Sequence, residues 1–438
     1  MKKYFLLFSL GIFALSKDFN AEVINYTKIG FNNNAINLQD GTYPTDSFSV
    51  LYTSINYNKN LEHLFFGAGL AFGGIVFDST KSDIKDGLAY KYLGYNTGFL
   101  GNQKASAQNT QNYFIKDLYI GYQDSHFKFS VGRFLFNNTD WLTGRHAGAE
   151  IHFFTHSYDF YAAISEKKSS YGGKWLKTYK FMNSSKIPTF VLGTKMNFDA
   201  LKLDFYLQSH INLYYAFGIH TTYQTNFNTS NQDISSKSDF IGLYVYHTNQ
   251  AQEKFSGYDM GSLPIYGAID TKNPTLQGYL GRKVGHGGFS LGFKQTFGIS
   301  SYNFGIQLYG NIGNPNEFIG RYGNPIGIDL NDNTIYDRGT ANNAIFDYNS
   351  FSNIIFMDKK FPSCTIKVSN RFTTSKRNNE ENFSVSASYK IEKNTTIGIN
   401  LSLYLIETNA GYKIYKTYLT HSRWDDRSFA STYITHRF

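Results

Sequence analysis

Positively charged residues recur at the polar positions of segments in which polar and apolar residues alternate. If the apolar residues of such a segment share one face of a strand, the polar residues share the other. Around a narrow polar space, an excess of cations raises the local concentration of anions, so the pattern predicts weak anion preference. The alternative is that these are ordinary charges paired with their neighbours. The cations are Lys128, Lys195, Lys202, Lys294, Lys367, Arg371 and Lys390, and the carboxylates are Asp117, Asp204 and Glu392.

Motifs for other chemistry are missing from the sequence. It has no GxSxG, HExxH or P-loop, its eleven histidines are dispersed, and a single cysteine, Cys364, cannot form an intramolecular disulfide. The segment from Asp329 to Asp337 has oxygen ligands at calcium-loop spacing, but Thr334 and Thr340 replace the required Gly and Glu. Gly67 to Gly73 misses the spacing of a dinucleotide fingerprint, so we expect these glycines to accommodate large neighbours on a strand. We expect no catalytic residue, no metal and no cofactor.

Alternation with period 2 runs through the chain in segments of about ten residues, which indicates strands rather than helices. In the clearest, Thr396 to Leu405, five apolar residues stand opposite Thr, Gly, Asn, Ser and Tyr. Aromatic residues make up 18% of the chain and charged residues 17%, the latter below the usual value of about 25%. No run of about 18 apolar residues follows the N-terminus, which argues against membrane helices.

This pattern predicts about eighteen strands joined by alternately short and long connections, the layout of a bacterial outer-membrane barrel. We therefore predict an all-β fold, a transmembrane antiparallel β-barrel with short periplasmic turns and long extracellular loops. The alternative, a secreted soluble all-β protein, needs neither so many aromatic residues nor alternating loop lengths. The predicted strands start near Glu22, Ser47, His63, Asn112, His126, Gly144, Tyr158, Pro188, Leu201, Leu213, Ser238, Gly288, Ser301, Asn349, Phe361, Asn382, Thr395 and Arg427.

Both termini fit an exported barrel. Residues 1–21 have a basic start and an apolar stretch of roughly eleven residues, too short to span a bilayer, and predict a signal peptide cleaved between residues 16 and 21. Residues 22–438 would then form one barrel in the Gram-negative outer membrane. Phe438 and Ile434 end an alternating segment as in the signal read by the barrel-assembly machinery, although His436 stands where that signal has an aromatic or apolar residue.

Two segments carry a family resemblance. Residues 131–148, VGRFLFNNTDWLTGRHAG, and residues 318–337, FIGRYGNPIGIDLNDNTIYD, resemble a strand–loop–strand and a long external loop of the OprD-like porin superfamily. The closest likeness is to the Hof-type outer-membrane proteins of Helicobacter and relatives. The resemblance implies an eighteen-stranded monomer or homotrimer that passes small solutes, often carboxylates or basic amino acids. It also implies an inward-folded loop, but here that loop, Asn137 to Thr143, is short, which argues against a tight constriction.

The charged residues around that loop are the second candidate site. Arg133, Asp140, Trp141, Arg145 and Glu150 would place guanidinium groups at the pore mouth, where they could grip carboxylates bidentately. The alternative is a loop ion pair with Trp141 packed at the rim.

These observations favour an outer-membrane porin for small polar or anionic solutes, with membrane lipid as its surroundings. The alternatives are an adhesin-like barrel with a closed lumen, suggested by its long external segments, and a barrel enzyme. The formal net charge of +9 is scattered along strands and loops, so we expect no binding of nucleic acid.

Overall fold

The computed structural model describes residues 18–37, 40–83, 87–93, 112–182, 186–229, 232–249, 287–313, 325–327, 334, 344–411, 413–414 and 417–438. Nearly all of the predicted signal peptide and most of the calcium-like segment lie outside these residues.

Strands dominate the described residues. Short 3-10 helices occur at Ser79–Ser82, Ala89–Tyr92 and Ala344–Phe346. No helix among the described residues has the length and apolarity needed to cross a membrane. The strands are β1 (Phe19–Gly30), β2 (Phe48–Leu61), β3 (Leu64–Asp78), β4 (Tyr113–Gln123), β5 (Phe127–Thr139), β6 (Leu142–Phe154), β7 (Tyr158–Gly172), β8 (Trp175–Phe181), β9 (Thr189–Phe198), β10 (Leu201–His210), β11 (Tyr214–Thr229), β12 (Gln232–His247), β13 (Gly287–Ile299), β14 (Tyr302–Gly313), β15 (Phe351–Lys360), β16 (Cys364–Thr374), β17 (Asn378–Glu392), β18 (Thr395–Thr408), β19 (Lys413–Ile414), β20 (Thr417–Tyr418), β21 (Arg423–Asp426) and β22 (Phe429–Arg437).

Eighteen of these strands form one closed antiparallel ring. Each pairs with its neighbours in chain order, except that β7 pairs with β9 and β18 with β22, so β8 and the short strands β19, β20 and β21 stand outside the ring. The ring closes where β22 pairs with β1, from Glu22 opposite Arg437 to Gly30 opposite Phe429. The predicted fold class is confirmed, and every predicted strand has a counterpart.

The largest error in a predicted boundary is at β12, which begins at Gln232 rather than near Ser238. The residues before Ser238 are mostly polar, so the start of β12 shows no alternation in the sequence. These residues nevertheless pair one by one with β11. β11 and β12 are therefore both 16 residues long, and the apparent long turn between them shrinks to residues 230–231.

The two ends of the ring differ in their connections. At one end, called the short-turn end, every connection between ring strands is two or three residues long, as at residues 124–126 and 199–200. The longer connections after β1, β3, β12 and β14 leave and re-enter the ring at the opposite end, which we call the long-loop end.

The outward face of the ring is an apolar belt. In β18, Ile399 and Leu403 are about half exposed, whereas Ser402 and Tyr404 on the inward face are buried. Ile434 and Phe438 also lie outward, 48% and 42% exposed. Apolar groups so exposed all around a ring require an apolar solvent such as a bilayer.

Inward-facing glycines of β3 lie under larger side chains, as expected from the sequence. A Cβ on Gly67 would lie 2.6 Å from the ring of Tyr119, and one on Gly73 would lie 2.2 Å from Cβ of Tyr52. Gly67 thus lets the ring of Tyr119 pack flat on the wall, and Gly73 allows a close approach of β2.

Candidate pore and its constriction

The β5–β6 hairpin leaves the wall and folds into the lumen. β4 pairs with β5 only as far as Arg133, and the bend uses positive φ at Gly132 (125°) and Gly144 (99°), a region that favours glycine. At the tip, Asp140 lies 3.0 Å from His220 on the inward face of β11. The expectation that the short segment from Asn137 to Thr143 argues against a constriction is therefore wrong, because the paired strands themselves carry it inward.

An apolar cluster anchors this hairpin to the wall. Trp141 is 1% exposed and lies inside the barrel rather than packed at its rim. Inward-facing residues of β7 to β15 surround it, so this part of the lumen is filled by side chains. We call this the inner apolar cluster; its buried members include Phe134, Phe136, Trp141, Leu142, Tyr161, Val191, Tyr206, Tyr214, Ala216, Leu243, Val245, Tyr309 and Ile354.

A second hairpin, β7–β8, folds towards the opposite wall. β7 pairs with β9 up to Ser165 and then with β8, from Lys167 to Gly172. The hydroxyl of Tyr52 on β2 donates a 2.6 Å hydrogen bond to the carbonyl of Gly173 at the hairpin tip. Since Tyr52 faces inward four residues from the long-loop end of β2, the tip of the β7–β8 hairpin crosses the lumen in its outer half.

Cations of the wall stack on this hairpin. Nζ of Lys116 lies 4.5 Å from the ring centroid of Tyr171, and the guanidinium carbon of Arg133 lies 4.9 Å from that of Tyr179. Tyr179 also donates a 2.7 Å hydrogen bond to the carbonyl of Lys116. Leu176 is fully buried against inward residues of β2. The two hairpins thus fill opposite sides of the lumen.

A polar cavity of about 360 Å³ lies between the β5–β6 hairpin and the β1–β4 wall. A bulge in β4 turns both Lys116 and Asp117 inward. Asp117 accepts a hydrogen bond from Arg145, and Glu150 lies 2.6 Å from Nζ of Lys128. The cavity is lined by Asn20, Asn56, Asn58, Phe65, Lys116, Asp117, Tyr119, Lys128, Ser130, Phe134, Leu135, Arg145 and Glu150.

The five predicted pore-mouth residues separate in the structure. Arg145 and Glu150 line the polar cavity together with the predicted pore-lining residues Lys128 and Asp117. Asp140 lies apart at His220, Trp141 lies in the inner apolar cluster, and Arg133 lies over Tyr179. All five lie within the lumen rather than forming one cluster at its mouth.

The remaining predicted pore-lining residues apart from Glu392 face inward but differ in their cross-strand neighbours. Lys195 of β9 stands between Asp159 of β7 and Asp204 of β10, and Lys294 of β13 is opposite Asp239 of β12. Glu392 was predicted on the same inward face, and this is wrong. The bulge after Lys390 pairs Glu392 with Thr395, whose other neighbour is the outward-facing His436.

Three inward-facing lysines near the short-turn end have no ion pair among the described residues. They are Lys202, Lys367 and Lys390, and each is exposed. Arg371, by contrast, is 6% exposed and donates a 2.8 Å hydrogen bond to Glu380, which also accepts one from Tyr404. Arg371 therefore contributes to a buried network rather than to an open surface.

The wall opposite the hairpins is polar and carries small side chains. We call the inward faces of β16, β17, β18 and β22 below Arg371 and Tyr404 the polar track. The side chains on it are hydroxyls, amides, two lysines, an arginine and one tyrosine, and the buried Phe429 stands opposite Ser402 at its upper end. They are Thr365, Lys367, Ser369, Asn382, Ser384, Ser386, Ser388, Lys390, Thr396, Asn400, Ser402, Ser431, Tyr433, Thr435 and Arg437.

Segments of the long-loop end also enter the mouth. Ile345 is fully buried, and Asp347 accepts a 3.3 Å hydrogen bond from Arg377. Across the mouth, Thr334 donates to the carbonyl of Pro44 at 2.9 Å. Ile326 joins the inner apolar cluster. The described parts of residues 325–350 thus narrow the entrance.

No group of three or more His, Cys, Asp or Glu residues that could hold a metal occurs within the described ranges. The role of Lys116 could not be predicted from the sequence, because the bulge that turns this side chain inward breaks the alternation. The sequence also hid Tyr171, since a hairpin inside the lumen keeps the same period-2 pattern as a wall strand.

An eighteen-stranded closed barrel with an apolar outward belt and a polar lumen belongs to the class of outer-membrane β-barrels. The family model described as "Putative outer membrane protein" matches residues 3–438. The chain belongs to that family, and its location is the outer membrane of a Gram-negative bacterium. By the rule for such barrels, the short-turn end is periplasmic and the long-loop end extracellular. No curated protein matches the sequence.

Solved porin structures share this fold. OccAB4 of Acinetobacter baumannii superposes with a TM-score of 0.61 at 11% identity, covering 96% of this chain and 97% of that one. OprD of Pseudomonas aeruginosa gives 0.59 at 9% identity, covering 96% and 94%. OpdK of Pseudomonas aeruginosa, solved with vanillate, gives 0.57 at 9% identity, covering 96% and 98%. At these identities the likeness shows the fold.

Proposed function

We propose that this protein is a porin of the OprD-like superfamily, of the Hof type, that passes small polar solutes with a weak preference for anions. Rings of 16 to 18 strands enclose an aqueous channel, and here two inserted hairpins narrow it. Below Arg371 and Tyr404, the polar track gives the described passage one wall lined mainly by small polar side chains. The structural neighbours are porins for small solutes, and vanillate, the ligand solved with OpdK, is a carboxylate.

The observation that carries the anion preference is the set of Lys202, Lys367 and Lys390. These ammonium groups face the lumen and form no ion pair among the described residues, although Lys367 stands opposite Asp358 of β15, so their charge acts on the passing solute. Asp117 and Glu150, by contrast, are each paired with a cation. We propose no catalytic activity. We also propose that the barrel-assembly machinery reads Phe438.

A closed barrel for surface contact is the second candidate. The inserted hairpins and the anchored residues at the mouth favour it. The polar track opposes it, because a sealed lumen would pair such hydroxyl and amide groups with an inserted segment.

Conductance separates the two candidates. Purified protein in a planar bilayer with a KCl gradient should give steady current steps. The zero-current potential should favour chloride, with a permeability ratio of about two to one, since partial charge excess gives weak selectivity. A heat-modifiable, inserted protein that carries no current would support the closed barrel instead.

A further inference from the structure

We propose that the polar track binds polyhydroxylated solutes, sugars and sugar acids, as they pass through the channel. This inference rests on the proposed porin function and specifies its class of solute. Two independent features of the track carry it: rows of hydroxyl and amide groups, and an aromatic ring lying flat on the wall.

The rows of polar groups run across neighbouring strands. Asn382 exchanges hydrogen bonds of 3.0 and 3.2 Å with Ser402, and Ser384 donates one of 2.8 Å to Asn400. These bonds fix the side chains but leave further donors and acceptors directed at the lumen. A hydroxylated solute can exchange its hydrogen bonds to water for bonds to this wall, whereas an alkyl chain cannot.

The flat ring is that of Tyr433, which lies across Gly398 on the neighbouring strand. A Cβ on Gly398 would come within 2.1 Å of a ring carbon of Tyr433, so the absence of a side chain is what lets the ring lie there. Tyr433 is half-buried, with one ring face against the wall and the other towards the lumen. The negative face of an aromatic ring suits the C–H groups on the flat side of a sugar ring.

Other tyrosines also lie over wall glycines but are covered. Tyr206 lies over Gly218 and Tyr161 over Gly193, and they are 4% and 1% exposed because the inner apolar cluster covers them. Tyr433 differs because, within the described part of the chain, neither inserted hairpin covers the polar track. A tyrosine ring over a wall glycine is therefore buried in the apolar cluster on one wall and accessible to solutes on the other.

Positive charge at the periplasmic end of the polar track makes the track suited to sugar acids as well as to neutral sugars. Lys367 is opposite Ser386, and Lys390 is opposite Thr396, so hydroxyl and ammonium groups alternate there. A carboxylate attached to a hydroxylated chain would meet both kinds of group at once.

Solute flux tests this inference. Liposomes of phosphatidylcholine containing the protein would be assayed for swelling in sodium gluconate and sodium hexanoate, two six-carbon monocarboxylates. Gluconate is the larger ion, so size sieving alone predicts slower entry. We expect gluconate to enter about fivefold faster, the effect of one net hydrogen bond.

Variants locate the effect on the track. Tyr433→Ala and the double change Ser384→Val with Ser386→Val should each abolish most of the preference, while Tyr433→Phe should retain it. Thr432→Val, on the outward face of β22, is the matched control. Heat-dependent gel mobility would verify that each variant forms a barrel.

The outcomes separate this inference from the proposed function. Channels that pass hexanoate faster than gluconate, or variants that keep the wild-type ratio, would overturn the binding of hydroxylated solutes and leave the porin intact. A barrel that passes neither ion would overturn both.

Discussion

Shortening the β7–β8 hairpin should raise the single-channel conductance by at least about twofold, because two strands about 4.8 Å apart would leave the lumen. Lys168 and Lys180 are opposite each other in the hairpin, so residues 169–179 can be replaced by Asn-Gly, a favoured two-residue hairpin turn. The measurement is the current step in a planar bilayer at fixed voltage and salt.

The control for this deletion keeps the hairpin and removes two of the hydrogen bonds that hold it to the wall. Tyr52→Phe with Tyr171→Phe deletes the hydroxyls that bond to Gly173 and to Glu22, the latter at 3.4 Å. Its mean step should stay near the wild-type value, with more noise in the open state. An unchanged step after the deletion itself would mean that the hairpin lies outside the path of ions.

Reversing the charge of Lys202, Lys367 and Lys390 to Glu should change the sign of the zero-current potential. Each ammonium faces the lumen with no ion pair among the described residues, so each substitution exchanges an attractive charge for a repulsive one where anions pass. We expect the permeability ratio to reverse to about two to one in favour of potassium. The potential is read in the same KCl gradient as for the wild type.

Two further variants make this test specific. Lys359 lies on the outward face with its Nζ 4.4 Å from the ring centroid of Tyr302, so Lys359→Glu should leave the potential unchanged. Arg371→Glu would leave Glu380 buried without its cation, and we expect about 3 kcal/mol of destabilisation from it, seen as a lower melting temperature in gel-shift assays. If the triple variant keeps its chloride preference, the lysines do not set selectivity.

Much of the barrel could be predicted from the sequence because its wall repeats one physical rule. A residue that faces lipid must be apolar and its neighbour need not be, so segments such as Thr396 to Leu405 reveal both faces directly. The rule failed where backbone geometry breaks it. At Lys116 and at Glu392, a bulge shifts the alternation by one residue, and no residue type marks either position.

The constriction could not be predicted because a hairpin inside the lumen has the same alternation as a strand in the wall. Phe134 and Leu135 alternate in both settings, yet here Phe134 faces the inner apolar cluster and Leu135 the polar cavity. Loop length was a poor guide to the constriction for the same reason, because the hairpins enter the lumen as paired strands rather than as long loops. The sequence alone identified the charged residues as candidates. Which of them lie together depends on which hairpin faces which wall, and that is not visible in the sequence.

The central claim is that solutes pass along the polar track, and thiol labelling tests it most directly. In a Cys364→Ser background, Ser386→Cys places a thiol on the track, Val385→Cys places one on the outward face next to it, and Ala216→Cys places one under the inner apolar cluster. A negatively charged thiol reagent should reduce the current through the Ser386→Cys channel by about half or more and leave the other two unchanged. Block at Ala216→Cys without block at Ser386→Cys would contradict the claim and place the path on the opposite wall.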